Sequence, residues 1–362
     1  MSSARRSPLH EWHASNGAQF IDLHGWQVPN QYAKPEIEYA ALRNGAAFSD
    51  LWHQSRFRIE GDDSIAFLNE LLTIKMESIP VDGCATAYMC NERGGIIDFF
   101  SIYRDRNYIL LLGNCAARTK AFDWLRTQAA QMNKYRVEIA DVSSAQGQIA
   151  VRGPSSLVLV ERLCFGQDIS KEAGDVTLAT IGTARCLVIA GNHGPVKGFD
   201  LIAGSLYIVP IWEKLLEASR ATGARAIGHA AHDILRIESG SPSIGTDTDD
   251  STTPIEINDS DRVDFNKRLF MGRRALMHST SGEMSRCFVS LKFEGIAKIA
   301  PEAEVLYESI PVGRVTSVTN SPVSRGTIAL GYMNSYKAND GANVAVRGTD
   351  DQLYPCVVAR EK

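Results

Sequence analysis

The chain has 362 residues, more than one hydrophobic core usually serves, and its 44% hydrophobic and 22% charged content describes a folded protein of several domains. A formal net charge of -4 leaves no bulk electrostatic footprint for nucleic acid or an anionic membrane. The seven cysteines are dispersed without a Cys-x-x-Cys, which argues against a disulfide framework or zinc ribbon, and no apolar run approaches the roughly 20 residues that span a bilayer.

The basic start, Met1 to Ser7, has no apolar stretch behind it, so a cytoplasmic location is the default expectation. Residues 20–29 read as an aromatic-rich loop with Gly and Pro punctuation. Pro35 beside Glu36 marks a helix start, and Asn44-Gly45 stops that helix near Arg43. Residues 56–60 alternate polar and apolar as a half-buried strand does, and Gly61-Asp62-Asp63-Ser64 caps a helix with Ile65, Leu68 and Leu72 on one face. The stretch 91–103 joins Gly94-Gly95 to an apolar run with one carboxylate, Asp98. In a strand, Asp98 shares a face with Ile96 and Phe100 while Phe99 points the other way. A Gly-Gly turn into a strand is a common hairpin device, so from this stretch alone Asp98 reads first as structural and second as chemical.

Residues 104–107 form a hairpin loop before a strand at 108–112, and Asn114 is placed to cap a helix carrying Phe122 and Leu125. Strands follow at 148–151, 176–180, 184–189 and 199–202, with a helix entry at Gly153-Pro154-Ser155. The glycine-containing loop 191–198 lacks the spacing of a phosphate loop. Helices at 211–221 and 230–238 precede a loop at 240–250. From residue 287 onward, short strands with Gly, Asn and Pro turns describe a small β-barrel or sandwich.

His229 and His232 stand one helical turn apart, a metal-compatible spacing, but no third ligand completes it and no metal is expected. No strained nucleophile elbow supports a Ser-His-Asp hydrolase. Arg273-Arg274 suits either an anion clamp or a solvated helix start, and Trp26 and Trp52 either stack on a planar ligand or fill a core. The fold class is α+β.

Several pieces, in order, resemble the tetrahydrofolate-dependent glycine-cleavage T-protein superfamily of aminomethyltransferases and demethylases. They are Pro8-Leu9-His10-Glu11, His24-Gly25-Trp26-x-x-Pro29, Asp50-x-x-His53, the 91–98 stretch, Val151-Arg152-Gly153-Pro154, residues 233–240, Thr252-Thr253-Pro254-Ile255-Glu256, Phe270-Met271-Gly272-Arg273 and Gly313-Arg314-Val315-Thr316-Ser317. The resemblance implies three domains around a central folate site: 1–50 with 140–245, 51–139 with 246–284, and a C-terminal β-barrel at 285–362. It implies that Asp200 accepts the amino and N3 protons of the pterin, a pairing suited to a carboxylate.

The chain departs from the family pattern where catalysis is expected. Phe99 stands in place of the second acid after Gly-Gly, His232 in place of an arginine, Thr86 in place of a tyrosine and Trp52 in place of a small residue. Residues 267–274 also lack the cysteine of relatives in iron-sulfur maintenance. A more apolar pocket points first to methyl transfer from a small O-, S- or N-methyl donor to tetrahydrofolate, with Asp98, His232 or His53 handling the proton, and Asp200, Thr86, Phe99, Trp26 and Arg273 contacting folate. The alternatives are an aminomethyltransferase served by a lipoyl carrier protein, and a folate-binding regulatory protein without turnover.

Overall fold

The computed structural model describes residues 4–281 and 284–360; residues 1–3, which open the basic start, lie outside these, as do 282, 283, 361 and 362. The chain forms two compact units. One comprises Met1–Phe67, Met76–Thr86 and Phe100–His232; the other comprises Leu68–Lys75, Ala87–Phe99 and Asp233–Lys362. The Gly83–Cys90 and Ile96–Arg104 strands carry the chain from one unit into the other.

The first unit is built on a six-stranded sheet, in the order Val176–Ile181, Ala184–His193, Val196–Gly204, Gln146–Arg152, Ala47–Asp50 and Arg225–Ala226. Only the last pair is parallel. On one face, Phe48, Ile149, Val151, Val188, Phe199 and Leu201 join a core with the helices Ser156–Leu163 and Ile208–Thr222, around the fully buried Trp212. On the other, Leu187, Ile189 and Ile202 pack with Tyr103, Leu110 and Leu112 of a second, five-stranded sheet. Burial on both faces explains why the segment 148–151 reads as almost continuously apolar.

Three expectations are corrected. Residues 20–29 are not a loop: Gln19–Leu23 and Trp26–Gln31 pair as a hairpin. His24 and Gly25 both have positive φ, the turn geometry that matches strand twist. Residues 191–198 are not a loop either, because the Ala184–His193 and Val196–Gly204 strands run through them to a tight turn at Gly194-Pro195. Asn114 does not cap the next helix, which begins at Arg118 with Ala117 at its N-cap and no side-chain cap bond.

In the second unit, six strands close a barrel: Arg286–Phe293, Gly326–Asn334, Ile310–Ser321, Glu304–Tyr307, Asn343–Arg347 and Leu353–Ala359. Cys287, Val289, Leu291, Val315, Met333 and Val346 are among the side chains that fill its interior, and closure leaves no open sheet edge. The alternate residues Phe288, Ile328 and Leu330 join a separate core with Ile237, Ile255, Phe270 and Leu276. No helix among the described residues is long and apolar enough to cross a membrane.

The Gly94-Gly95 turn is a structural device, as its composition suggests. Asn91 Oδ1 accepts from the backbone of Arg93 and Gly95 at 2.9 and 3.0 Å, and Asn91 Nδ2 donates to the Asp250 carbonyl at 2.8 Å. A Cβ at Gly95 would stand 1.8 Å from that same carbonyl oxygen, so the loop at 249–252 packs directly on the turn. Gly95→Ala is therefore expected to destabilise the protein by about 2 kcal/mol or more, the scale of severe overpacking, read as a lowered denaturation midpoint.

Candidate functional site

Across the six-stranded sheet, Asp200 lies opposite Ala150, and Ala150 lies opposite Ser49. Directly opposed residues share a face, and the period of two adds Gln148 and Arg152 to it. All four polar side chains are buried. Arg152 Nη2 donates to Asp200 Oδ1 at 2.7 Å, Gln148 Nε2 donates to the same oxygen at 3.1 Å, and Arg152 Nη1 also donates to the Phe199 carbonyl. Arg152 can lie across its neighbour because residue 198 is glycine: a Cβ there would meet Arg152 Cδ at 2.6 Å and the Val151 carbonyl oxygen at 2.3 Å.

One acceptor in this group is unsatisfied. Gln148 Oε1 is buried without a hydrogen-bond partner, a situation that costs about 1–3 kcal/mol in a folded protein. A carboxylate beside an unpaired amide oxygen forms an acceptor pair suited to a planar ligand edge that carries several N–H groups. On the same face, Ser49 Oγ and His232 Nε2 lie 2.7 Å apart. His232 is half-buried at the start of the His229–Glu238 helix.

His53 and Asp50 belong to a neighbouring buried polar group in this unit. Asp50 Oδ2 is 3.1 Å from His13 Nε2, and the Tyr32 hydroxyl is 2.7 Å from His13 Nδ1. Burial pushes the Asp50 carboxyl up, but the hydrogen bond and charge of His13, with hydrogen bonds from Ser7 and the Trp52 N–H, outweigh it and hold Asp50 below its usual range. Burial lowers His53 to about 4, with Asp50 opposing the shift and His229, Arg56 and His24 adding to it. Trp26 and Trp52 both join the core cluster: Arg5 stands 4.6 Å over the Trp26 ring, and Trp52 packs on Gly147. Thr86 is half-buried on the Gly83–Cys90 strand.

In the second unit, Asp98 is fully buried and its Oδ1 accepts from the Phe99 N–H at 2.8 Å. The half-buried Phe99 ring lies 4.8 Å from Tyr88, and the Arg262 guanidinium lies 5.1 Å over it. Asp259 ties the group together, accepting from the Tyr88 hydroxyl at 2.5 Å and Arg262 Nε at 2.9 Å. Burial, then the Asp259 charge, keeps the Tyr88 hydroxyl protonated far above its ordinary pKa. Arg273 donates to the carbonyls of Lys267 and Phe265 at 2.7 and 2.9 Å, and the buried Lys267 donates to those of Leu72 and Ile74. These cations satisfy loop backbone. Among the described residues, no group of three or more His, Cys, Asp or Glu is arranged to hold a metal ion.

Sequence reasoning singled out Asp200 but gave no role to Gln148, Arg152 or Ser49, and it passed over Tyr88, Asp259 and Arg262. A signal existed for the first pair: Gln148 and Arg152, with Gln146, are the polar residues at even spacing in the strand Gln146–Arg152.

Residues 9–267 match the family model of the GCVT N-terminal domain, and residues 286–362 match that of the glycine cleavage T-protein C-terminal barrel domain. An aminomethyltransferase of Caldanaerobacter subterraneus subsp. tengcongensis is 30% identical, over 96% of this chain and 92% of that one. An aminomethyltransferase of Pseudothermotoga lettingae is 31% identical, over 95% and 94% respectively. The crystal structure of the glycine cleavage system aminomethyltransferase T from Bartonella henselae has the same fold, with a TM-score of 0.89 at 24% identity, covering 99% of this chain and 97% of that one.

The lowered pKa of His53 sets a pH dependence. The unfolded chain binds this proton near 6.5 and the folded chain only near 4, so the contribution is complete above 6.5 and is lost as pH falls through that window. Unfolding free energies from urea titrations between these pH values are expected to fall, as pH is lowered, with a slope of up to about 1.4 kcal/mol per pH unit from this one proton. In His53→Gln the slope should be shallower over the same range.

Proposed function

The chain belongs to the glycine cleavage T-protein family, and on that premise we propose that it transfers an aminomethyl-derived one-carbon unit to tetrahydrofolate. Membership makes it a one-carbon-group transferase that uses tetrahydrofolate. The finer assignment, aminomethyl over methyl, follows the relatives that align with it over nearly their whole length. It reverses the order reached from the sequence, where the apolar substitutions put demethylation first. The three-domain division given above is part of the same proposal.

The observation that carries the folate assignment is the acceptor pair of Asp200 and the unpartnered Gln148 Oε1. A pterin edge offers a 2-amino group and a ring N–H, donors that a carboxylate and the unpartnered Gln148 Oε1 can accept, so the residues fit the group. Bound tetrahydrofolate supplies the nitrogens that accept the one-carbon unit. The chain's part is to bind and orient. Arg152 holds the Asp200 carboxylate in place, and Asp200 and Gln148 then accept from the pterin.

For the proton, His53 is neutral at pH 7 and suits an acceptor role, His232 comes with a hydroxyl partner, and Asp98 stands beside Phe99. Thr86 enters as a polar contact. Trp26 and Arg273 enter as supports of shape, given the core and the carbonyls that they serve. Aminomethyl transfer also requires a lipoyl-bearing carrier protein as partner.

A second reading, methyl transfer from a small O-, S- or N-methyl donor, is favoured by one observation. Phe99 packs against Tyr88 and Arg262, so a ring stands where the family resemblance places a working carboxylate. Formation of methylene-tetrahydrofolate from an aminomethyl-lipoyl carrier is the expected result of the first reading. Failure there, with 5-methyl-tetrahydrofolate formed from a panel of methoxyaromatic and methylthio compounds, would establish the second.

Asp200→Asn keeps the shape but removes the charge. It is expected to weaken folinic acid binding roughly 30-fold, about 2 kcal/mol for one charge-assisted hydrogen bond, by calorimetric titration. Unchanged affinity would reject the pterin assignment.

A further inference from the structure

Gln146 opens the strand that carries Gln148 and Arg152, and the period of two turns its side chain to the same sheet face. Its Cα lies about 7 Å from that of Gln148. Like Gln148 Oε1, Gln146 Oε1 is buried and has no hydrogen-bond partner among the described residues. Leaving one buried acceptor unmatched is costly, and here two follow one another along a strand. The residue opposite Gln146 on the neighbouring strand is Gly204, which brings no side chain to this place. Asp200 is opposite Ala150, and the register passes from there to Gln148 and then to Gln146. The acceptors of this face therefore run in the order Asp200, Gln148, Gln146.

We propose that Gln146 is a specificity-determining residue that accepts the N8–H of a reduced pterin and so selects dihydrofolate and tetrahydrofolate over fully oxidised folate. The inference rests on the pterin reading of this face and adds to it the oxidation state that the face accepts. Around its edge a tetrahydropterin carries donors in the order ring N3–H, 2-amino group and N8–H, the order in which the three acceptors follow one another. In the fully oxidised ring, N8 has lost its hydrogen and turns a lone pair outward. Opposite Gln146 Oε1, that lone pair sets acceptor against acceptor, the kind of mismatch by which a site rejects a near-isosteric ligand. Dihydrofolate keeps its N8–H, so Gln146 separates oxidised from reduced rings and not the two reduced rings from each other.

The test is calorimetric titration of the full chain, under anaerobic conditions, with tetrahydrofolate, dihydrofolate, folic acid and 8-deazatetrahydrofolate, in which a methylene group replaces N8–H. The wild type is expected to bind the deaza analogue about tenfold more weakly than tetrahydrofolate, the size of one neutral hydrogen bond. Gln146→Leu should weaken tetrahydrofolate and dihydrofolate by the same factor and leave folic acid and the deaza analogue unchanged, so that the two changes together cost no more than either alone. Equal weakening of all four ligands by Gln146→Leu, or a deaza analogue bound by the wild type as tightly as tetrahydrofolate, would overturn the inference. The second comparison needs no variant to fold. If Asp200→Asn leaves tetrahydrofolate affinity unchanged, the pterin reading falls and this inference with it. A loss in Asp200→Asn beside an unselective Gln146→Leu would overturn this inference alone.

Discussion

A carboxylate buried in the middle of a sheet that is covered on both faces is tolerable only if its charge is met there. For Asp200 this is done by Arg152 from the adjacent strand, with Gln148 on the same oxygen. Such a buried pair contributes little net stability, because desolvating two ions opposes their attraction, and its value lies in geometry. It requires Gly198 beside Arg152, it requires the antiparallel register that brings residues 148, 150 and 152 against 202, 200 and 198, and it leaves one amide oxygen without a donor. The polar face of the first unit follows from this single arrangement.

The same unit carries a second polar group of different character. Tyr32, His13 and Asp50 are linked in series beneath the fully buried Trp212, and their partners are all supplied from within the chain. His53 stands near this group and is held neutral chiefly by burial. The two groups differ: the His13 series is bonded in sequence to Tyr32 and Asp50, whereas Gln148 Oε1 is buried without a partner. A buried acceptor without a donor, beside a carboxylate on the same sheet face, is a place where a ligand can contribute.

The second unit shows how an apolar substitution is accommodated. Phe99 contacts both the Tyr88 ring and the Arg262 guanidinium, and Asp259 bonds both of those partners. Asp98, pointing the opposite way along the strand, caps the next backbone N–H. The two neighbours thus differ in kind because alternate strand positions meet different surroundings.

Local pattern by itself determined much of this protein. Glycine and proline punctuation, two-residue alternation and helical spacing located most elements within a few residues, and the ordered short motifs identified the family and the closing barrel. The failures were at short-range turns, where positive φ at His24 or continuation of strands through 191–198 depends on pairing that no local pattern expresses. The site was legible only in part. Asp200 stood out as an acid in an apolar strand, but its dependence on Arg152 and Gln148 exists only once strand neighbours and register are known. The bond between Ser49 and His232 joins residues far apart in sequence. Tertiary structure decided these pairings because hydrogen bonds and ion pairs are set by distance in space, whereas periodicity reports only which way a side chain points.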